Sequence, residues 1–545
     1  MPTIPALFVQ CMNKDAHVPF FHQFEGGTWV SYTKKEAYEA VSGTVQRLYS
    51  LGVRKGSVVA VCAETRKEWA ILDLSIQSLG AISVGLYPTL TPKEIDAQLR
   101  DSGATILVVE DEEMYLRLEE IIEENWDLMH VLSFVECESV IPLLPAQPDD
   151  DFFIQQVSLV QENDIACIVY TSGTTGVSKG VPLTHKKLVY NIRSMVSFSP
   201  LGGNHRSFVC LPLAHSLQRV ALYRGLLENI QGYFCTLTEL GKQFSVVRPT
   251  ILVAVPRMLE KMIEQVEEKA KERGEVSSFI VRWASLVAMS ASSRRRIRWQ
   301  RGLAKKLVYD KVYDGLGGAL STIYCGGAPL SPRVARWFFA LGIVVQEGWG
   351  LSETCAPATL NPHDEIRLGS VGRPFGSTEV NLADDGEVLV RGPGVFDGYW
   401  QQDSSSCFTK EGFFRTGDLG RIDDDGYLWI TGRKKDLIIT SGGKNIAPQP
   451  IIDQLLGNGI DDVVLMGDGK PYVCALVIVE DTKEEKLLPL VSSRIANLNQ
   501  TLPRFAQIKK YRILSQTDVD ENAFRTPTLK LKRAKMIASN LDLYE

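Results

Sequence analysis

Long apolar runs are missing from this chain of 545 residues. No stretch approaches the ~18 uninterrupted apolar residues of a membrane-spanning helix, so a transmembrane anchor is not expected. The start, Met1-Pro2-Thr3-Ile4-Pro5, lacks the charged region and apolar run of a secretory leader. Histidines number only 7, and the 10 cysteines lie scattered from Cys11 to Cys474 with no Cys-x-x-Cys and no close Cys/His pair. That pattern argues against a zinc site or a disulfide framework and fits a reducing, cytoplasmic compartment. Net positive charge is also missing: 59 Lys+Arg against 65 Asp+Glu leave −6. Nucleic acid is therefore not expected as a partner.

What is present is ordinary globular material, 45% apolar and 23% charged. A chain this long exceeds one hydrophobic core, so several structural units are expected. The first third alternates short β-branched runs, Val58–Cys62 and Thr105–Val109, with helix-like segments such as Trp69–Leu79. Thr91-Pro92-Lys93-Glu94 combines a cap with a proline at the first helical position, which predicts a helix start. Further strands are expected at Phe208–Leu211, Ile251–Ala254 and Ser321–Tyr324, each followed by a Gly-, Pro- or His-bearing turn. Repeated βα units predict an α/β fold of parallel-rich sheets layered with helices, with ligands collecting outside the carboxyl ends of the strands. Over residues 368–432 the texture shifts to short strands and Asp/Gly turns, predicting a β-rich subdomain. Beyond it, a hairpin over Val463–Met466 and Tyr472–Val479 predicts a small α+β domain. The expected organisation is a large domain over 1–432, a joint at 433–435 and a small domain over 436–545.

One stretch stands apart: Thr171-Ser172-Gly173-Thr174-Thr175-Gly176-Val177-Ser178-Lys179-Gly180, directly after the apolar run Ile165–Tyr170. Its glycines allow close backbone approach, its hydroxyls and N–H groups make an anion cradle, and Lys179 brings a charge suited to phosphate. The spacing is not that of the usual NTPase P-loop. Gly348-Trp349-Gly350-Leu351-Ser352-Glu353-Thr354 offers an aromatic face, a hydroxyl and a carboxylate for a hard cation. Mg²⁺ takes only one or two protein carboxylates beside phosphate oxygens, so Glu353 can suffice. Asp418, after Gly417, suits a ribose diol; Arg433 suits phosphate or ribose. Phe524–Arg533 is a basic segment. Taken singly, each has a bland reading as core tryptophan, surface carboxylate, turn or solvated strand edge. The basic stretch Ser290–Lys306, rich in arginine from Arg294, reads by default as a solvated face, with weak peripheral contact to anionic lipid as the alternative.

In this order and at these distances the motifs resemble those of the adenylate-forming (AMP-binding) enzymes, over essentially the whole chain. Leu211-Pro212-Leu213-Ala214-His215, Gly326-Gly327-Ala328-Pro329-Leu330, Thr440–Pro448 and Thr526-Pro527-Thr528-Leu529-Lys530 look most like long-chain fatty acyl-CoA synthetases. The resemblance implies a large N-terminal domain and a small, mobile C-terminal domain. It also implies a two-step reaction using ATP, Mg²⁺, a fatty acid and coenzyme A: an acyl-adenylate forms with loss of pyrophosphate, then the thiol displaces AMP. Thr171, Ser172, Gly173, Thr174, Thr175, Gly176 and Lys179 would hold phosphates. Gly326, Gly327, Ala328, Gly348, Trp349, Gly350 and Leu351 would frame adenine, and Ser352 would touch the α-phosphate. Asp418 and Arg433 would take the ribose–phosphate end, with Lys444 a second basic contact. Glu353, with Thr175, would bind Mg²⁺. Lys530 would be the catalytic lysine, Lys435 the hinge, Gly442 and Gly443 the coenzyme A channel, and His215 the mouth of the acyl pocket. Trp349 and Ser352 replace a commoner tyrosine and threonine, and Leu529 precedes Lys530 where many members have glycine, leaving Lys532 as the rival lysine. A fatty acyl-AMP ligase serving a carrier protein and a catalytically silent acyl or nucleotide sensor are the competing readings. The assembly is open, with a homodimer among the options.

Overall fold

The apolar, β-branched runs of the first third become strands buried along their length, as expected for parallel strands covered on both faces. Val58–Cys62, Ile82–Leu86 and Ile106–Val109 show no exposed residue. The structure is a computed structural model that describes residues 1–124, 127–171, 178–290, 295–457, 459–479, 484–522, 524–525 and 531–544, with 295–298 and 484–487 as backbone only. These first strands belong to a seven-stranded sheet ordered Ile141–Pro142, His130–Ser133, Ile106–Val109, Val58–Cys62, Ile82–Leu86, Ile165–Thr171, Lys179–Thr184. Neighbours run parallel except the last pair, which is antiparallel with Thr171 opposite Lys179. The Gly-rich stretch is thus flanked by two paired strands rather than by a strand and a helix.

A nine-stranded sheet is ordered Arg373–Pro374, Ala356–Leu360, Val344–Leu351, Thr322–Cys325, Ile251–Ala254, Arg206–Val209, Gln231–Phe234, Pro19–Glu25, Thr28–Thr33. Its central strands are parallel and antiparallel pairs close both edges. The helix expected at Thr91 spans Pro92–Ser102: Thr91 and Glu94 cap each other reciprocally, and Gly103 ends it at φ +68°. The strand expected at Phe208–Leu211 lies earlier, at Arg206–Val209. Leu211 leaves the ladder because its N–H turns to the Gln218 side chain (3.4 Å) ahead of Pro212.

The described chain divides into two compact units, one of Met1–Val380, Val390–Phe414 and Gly426–Leu428, the other of Asn381–Leu389, Arg415–Asp425 and Trp429–Glu545. In the second unit, Ile460–Met466 and Val473–Val479 form the expected hairpin, and Ile508–Ser515 pairs parallel to the latter. Strand alternation puts Val473, Ala475, Val477 and Val479 in one core cluster and Cys474, Leu476 and Ile478 in another. Helices therefore cover both faces of this small sheet. Among the described residues no helix is long and apolar enough to cross a membrane.

Candidate active site

The turn after strand Val344–Leu351 shows why its sequence reads as it does. The strand doubles back on Ala356–Leu360, and any Cβ at Gly350 would collide with the Ala356 carbonyl oxygen. Only glycine permits so close an approach. Ser352–Thr354 form a single 3₁₀ turn, followed by Cys355 (φ 58°) and Ala356 (φ 72°) in the left-handed region. Thr354 holds this strained backbone: its hydroxyl accepts from the Leu351 N–H and donates to the Ala356 carbonyl, both at 2.8 Å. Trp349, Ser352 and Glu353 end up buried, each 9% exposed.

Glu353 is not alone. The Tyr399 hydroxyl donates to Glu353 Oε1 at 2.8 Å, and Lys179 Nζ sits 4.7 Å from the centroid of the Tyr399 ring. One tyrosine thus touches the carboxylate and the lysine that closes the Gly-rich stretch. Burial, reinforced by the Glu353 charge, raises the Tyr399 phenol well above its ordinary range, so the hydroxyl stays a donor. The segment carrying Tyr399 is tied down on both sides. Phe396 N–H donates to the Glu353 carbonyl (2.8 Å), Trp400 N–H to the Gly180 carbonyl (2.8 Å) and Trp400 Nε1–H to the Asp101 carbonyl (3.1 Å).

The turn Gly326–Leu330 lies beside this strand, since Thr322–Cys325 pairs parallel to Val344–Leu351. A Cβ at Gly326 would stand 3.3 Å from the Gly348 carbonyl, and Gly327 has φ +85°. Glu347 links the two: its Oε1 accepts from the Leu330 N–H at 3.1 Å. Burial pushes the Glu347 carboxyl up to about 8. Next to this turn a small, predominantly apolar cavity of about 50 Å³ runs along helix Ser216–Glu228. Leu217, Val220, Ala221 and Gly225 line it from the helix, and Val253 and Tyr324 from the sheet. His215 is the N-cap of that helix, its Nδ1 accepting from the Leu217 N–H at 3.1 Å.

The second unit carries its own group. Asp418, 3% exposed, pairs with Arg433 Nε at 2.8 Å. Its position is set by Thr416, whose hydroxyl accepts from the Asp418 N–H (3.1 Å) and donates to the Val388 carbonyl (2.6 Å). Lys435 lies in the turn Lys434–Asp436, exposed; its neighbour Lys434 pairs with Asp385 (2.5 Å) and Glu387 (3.1 Å). Gly442 and Gly443 form the exposed turn between Ile438–Ile439 and Asn445–Ile446, with Gly443 at φ +70°. Lys444 follows, its Nζ 6.0 Å from the Phe505 ring centroid. Ser172, Gly173, Thr174, Thr175, Gly176 and Lys530 lie outside the described residues. The rival Lys532 caps helix Arg533–Ala538, its N–H donating to the Phe524 carbonyl at 2.6 Å.

A family model described as AMP-binding enzyme matches residues 8–400, and one described as AMP-binding enzyme C-terminal domain matches 435–541. The chain belongs to the AMP-binding enzyme family. It is 31% identical, over 99% of its length and 96% of the relative's, to the Mycobacterium tuberculosis long-chain-fatty-acid–CoA ligase FadD15. It is 27% identical to the Xenopus laevis long-chain-fatty-acid–CoA ligase ACSBG2, over 88% of this chain and 69% of that protein. Among solved structures, ATP-bound MatB from Rhodopseudomonas palustris aligns over 100% of both chains with TM-score 0.75 and 23% identity. A Mycobacterium tuberculosis fatty acyl CoA synthetase aligns over 99% of this chain and 98% of that chain with TM-score 0.64 and 21% identity. The expected architecture of a large α/β part and a small α+β part is the fold this family shares with the chain.

A resident metal cage is not what these residues make: among those described, no three His, Cys, Asp or Glu side chains converge. One buried carboxylate, Glu353, between the hydroxyl-bearing Ser352 and Thr354 fits a Mg²⁺ that arrives with phosphate oxygens. Tyr399 and Glu347 were not singled out from the sequence. Tyr399 lies 46 residues from Glu353, and no local spacing reports that contact. Glu347 precedes the glycine that opens the motif, and only its burial marks it.

Proposed function

We propose that this chain is an ATP-dependent fatty acid–CoA ligase of the long-chain type, forming an acyl-adenylate with release of pyrophosphate and then a thioester with release of AMP. The observation that carries the reading is the apolar cavity along Ser216–Glu228, whose wall at Leu217 adjoins Gly326. An alkyl chain entering there would gain apolar contact while its carboxylate stayed beside Gly326.

In this reading Ser172–Lys179 cradle the β- and γ-phosphates, Trp349 and Gly326–Ala328 enclose adenine, and Asp418 and Arg433 hold the ribose. Lys530 neutralises charge between the acid's carboxylate and the α-phosphate, so that attack on phosphorus is a matter of positioning and electrostatics. Glu353 and Thr175 would hold Mg²⁺, which when bound supplies charge neutralisation at the phosphate oxygens. Lys435 serves as the pivot that removes Lys530 and presents Gly442–Gly443 and the thiol to the acyl carbon. Lys444 adds a cation near that path, and His215 stands at the pocket mouth.

Pyrophosphate release measured across acids from acetate to the twenty-carbon acid tests the substrate class, with the highest kcat/KM expected among long chains. Release of AMP dependent on free coenzyme A is expected; AMP release that needs a carrier protein would favour an acyl-AMP ligase, and no turnover with any acid would favour a sensor. Lys530→Ala is expected to abolish adenylation while largely sparing thioester formation from pre-made acyl-adenylate. Equal loss of both half-reactions would remove Lys530 from the role.

A further inference from the structure

Helix Ser216–Glu228 presents Leu217, Val220, Ala221 and Arg224 to the cavity, positions three and four apart that share one helical face. Three of them are apolar and the fourth carries a guanidinium. Arg224 is 3% exposed. A cation buried so deeply is costly unless its N–H groups find acceptors. Its Nε donates to Glu228, one turn on, and its Nη2 donates to the Ser199 carbonyl at 2.5 Å. Its Nη1 is buried and has no partner among the described residues.

The groups around Arg224 are engaged with one another. Glu228 Oε1 accepts from the Leu201 N–H at 2.8 Å. The guanidinium carbon lies 4.9 Å from the Tyr324 ring centroid, and the Tyr324 hydroxyl shares a hydrogen bond with the Ser199 hydroxyl at 3.2 Å. Ser199 also donates to Gln346 Oε1 (3.1 Å), and Gln346 Nε2 donates to the Asn361 carbonyl (2.8 Å). These contacts fix the guanidinium and leave Nη1 as a donor without an acceptor at a predominantly apolar cavity.

The height of this donor along the helix sets what it can meet. Leu217 adjoins Gly326, beside which the ligase reading puts the carboxylate of the acid. Arg224 is two turns farther, about 10 Å along the helix axis. A chain entering beside Leu217 therefore brings its distal carbons to Arg224. Glu228 already pairs with the Arg224 charge, so a second carboxylate on the acid would place two anions beside one cation. A neutral acceptor oxygen fits.

We propose that Arg224 recognises the distal end of an ω-hydroxy fatty acid, its Nη1 donating to the hydroxyl oxygen. This substrate class rests on the ligase reading, which supplies the carboxylate end beside Gly326. An unsubstituted chain leaves the donor unpaired, and a site with a buried polar group discriminates most against the analogue that cannot pair with it.

The test is isothermal titration calorimetry on the full chain without nucleotide, so its outcome does not depend on turnover. ω-Hydroxy acids of eight to sixteen carbons are compared with the unsubstituted acid and the α,ω-dicarboxylic acid of each length. At the length whose hydroxyl reaches Arg224, the ω-hydroxy acid is expected to bind about tenfold more tightly than the unsubstituted acid, and the diacid least tightly. Shorter and longer chains should show no preference, because their hydroxyl falls short of the guanidinium or is carried past it. Arg224→Lys keeps a cation beside Glu228 but loses the planar fork, and is expected to erase the preference. Thermal unfolding checks that this variant folds; if it does not, the length series on the wild-type chain decides alone. Equal, weaker or absent binding of the ω-hydroxy acid at every length overturns the proposal, as does a preference that survives in Arg224→Lys. Tightest binding of the diacid also overturns it, marking an anion site. The ligase reading fails separately, if neither kind of acid releases pyrophosphate whatever its affinity.

Discussion

Tyr399 couples two groups that the sequence keeps far apart, the Glu353 carboxylate and the Lys179 ammonium. Its hydroxyl and its ring do separable jobs, so two substitutions separate them. Tyr399→Phe keeps the ring beneath Lys179 but frees Glu353, and is expected to raise the Mg²⁺ concentration for half-maximal adenylation about tenfold. Calorimetric titration with ATP at saturating Mg²⁺ should change little in that variant. Tyr399→Leu removes both contacts and should weaken ATP binding in the same titration. Identical behaviour of Phe and Leu variants would show that the ring contact carries nothing. Glu347 makes a pH prediction. Its folded-state carboxyl is raised to about 8 from an ordinary 4.5, so the folded protein holds a proton that the unfolded chain gives up. The stability this supplies is complete below about pH 4.5 and is lost as the pH climbs to about 8. Urea unfolding at several pH values should show that slope in the wild type and a flatter one in Glu347→Gln, which still accepts from the Leu330 N–H.

At the scale of elements, helix Ser216–Glu228 serves two structures at once. One side lines the cavity through Leu217, Val220, Ala221 and Gly225, while Arg219 and Tyr223 are fully buried on the other. A Cβ at Gly225 meets only Ile230, at 3.5 Å or beyond, so the glycine leaves volume in the cavity rather than satisfying a backbone need. Gly225→Leu is expected to fill that volume while improving helix propensity. In the acid panel kcat/KM for the longest acids should fall about tenfold or more, with shorter acids spared. A uniform loss across all lengths would argue that the cavity does not receive the chain. The hairpin at Gly348–Leu360 illustrates the opposite use of glycine, where Gly350 is dictated by the approach of Ala356.

Across the large unit, helices that flank different sheets are joined by a buried ion pair. Arg219, 1% exposed, stands 3.7 Å from Asp73 on helix Lys67–Ser78; Asp73 also accepts from the Tyr223 hydroxyl, which in turn accepts from Gln77 at 2.6 Å. Arg219 further donates to the Leu213 carbonyl at 3.1 Å and lies 4.7 Å from the Trp69 ring centroid. Removing one charge strands the other in the interior, so Arg219→Met is expected to cost about 3–5 kcal/mol in denaturant unfolding. Adding Asp73→Leu to Arg219→Met should restore much of that stability. If the single variant is as stable as the wild type, the pair carries no net energy.

The sequence alone determined the local structure and the chemical inventory. Buried strands, the Thr91 cap and the Val463–Val479 hairpin follow from periodicity and short-range spacing, and the glycine-, hydroxyl- and charge-bearing motifs are read directly from the chain. These depend on forces that act over a few residues: side-chain alternation, capping and backbone conformational limits. The resemblance of those motifs to the adenylate-forming enzymes extended the reading to the family and its reaction. What tertiary structure decided was set by packing between distant segments. It put Tyr399 against Glu353 and Lys179, buried Glu347 beneath Leu330, turned the Lys179–Thr184 segment into a strand paired with Ile165–Thr171, and left Phe279 and Leu286 facing solvent. None of these has a local signature, because burial and cross-chain contact are properties of the folded surface and not of spacing along the chain.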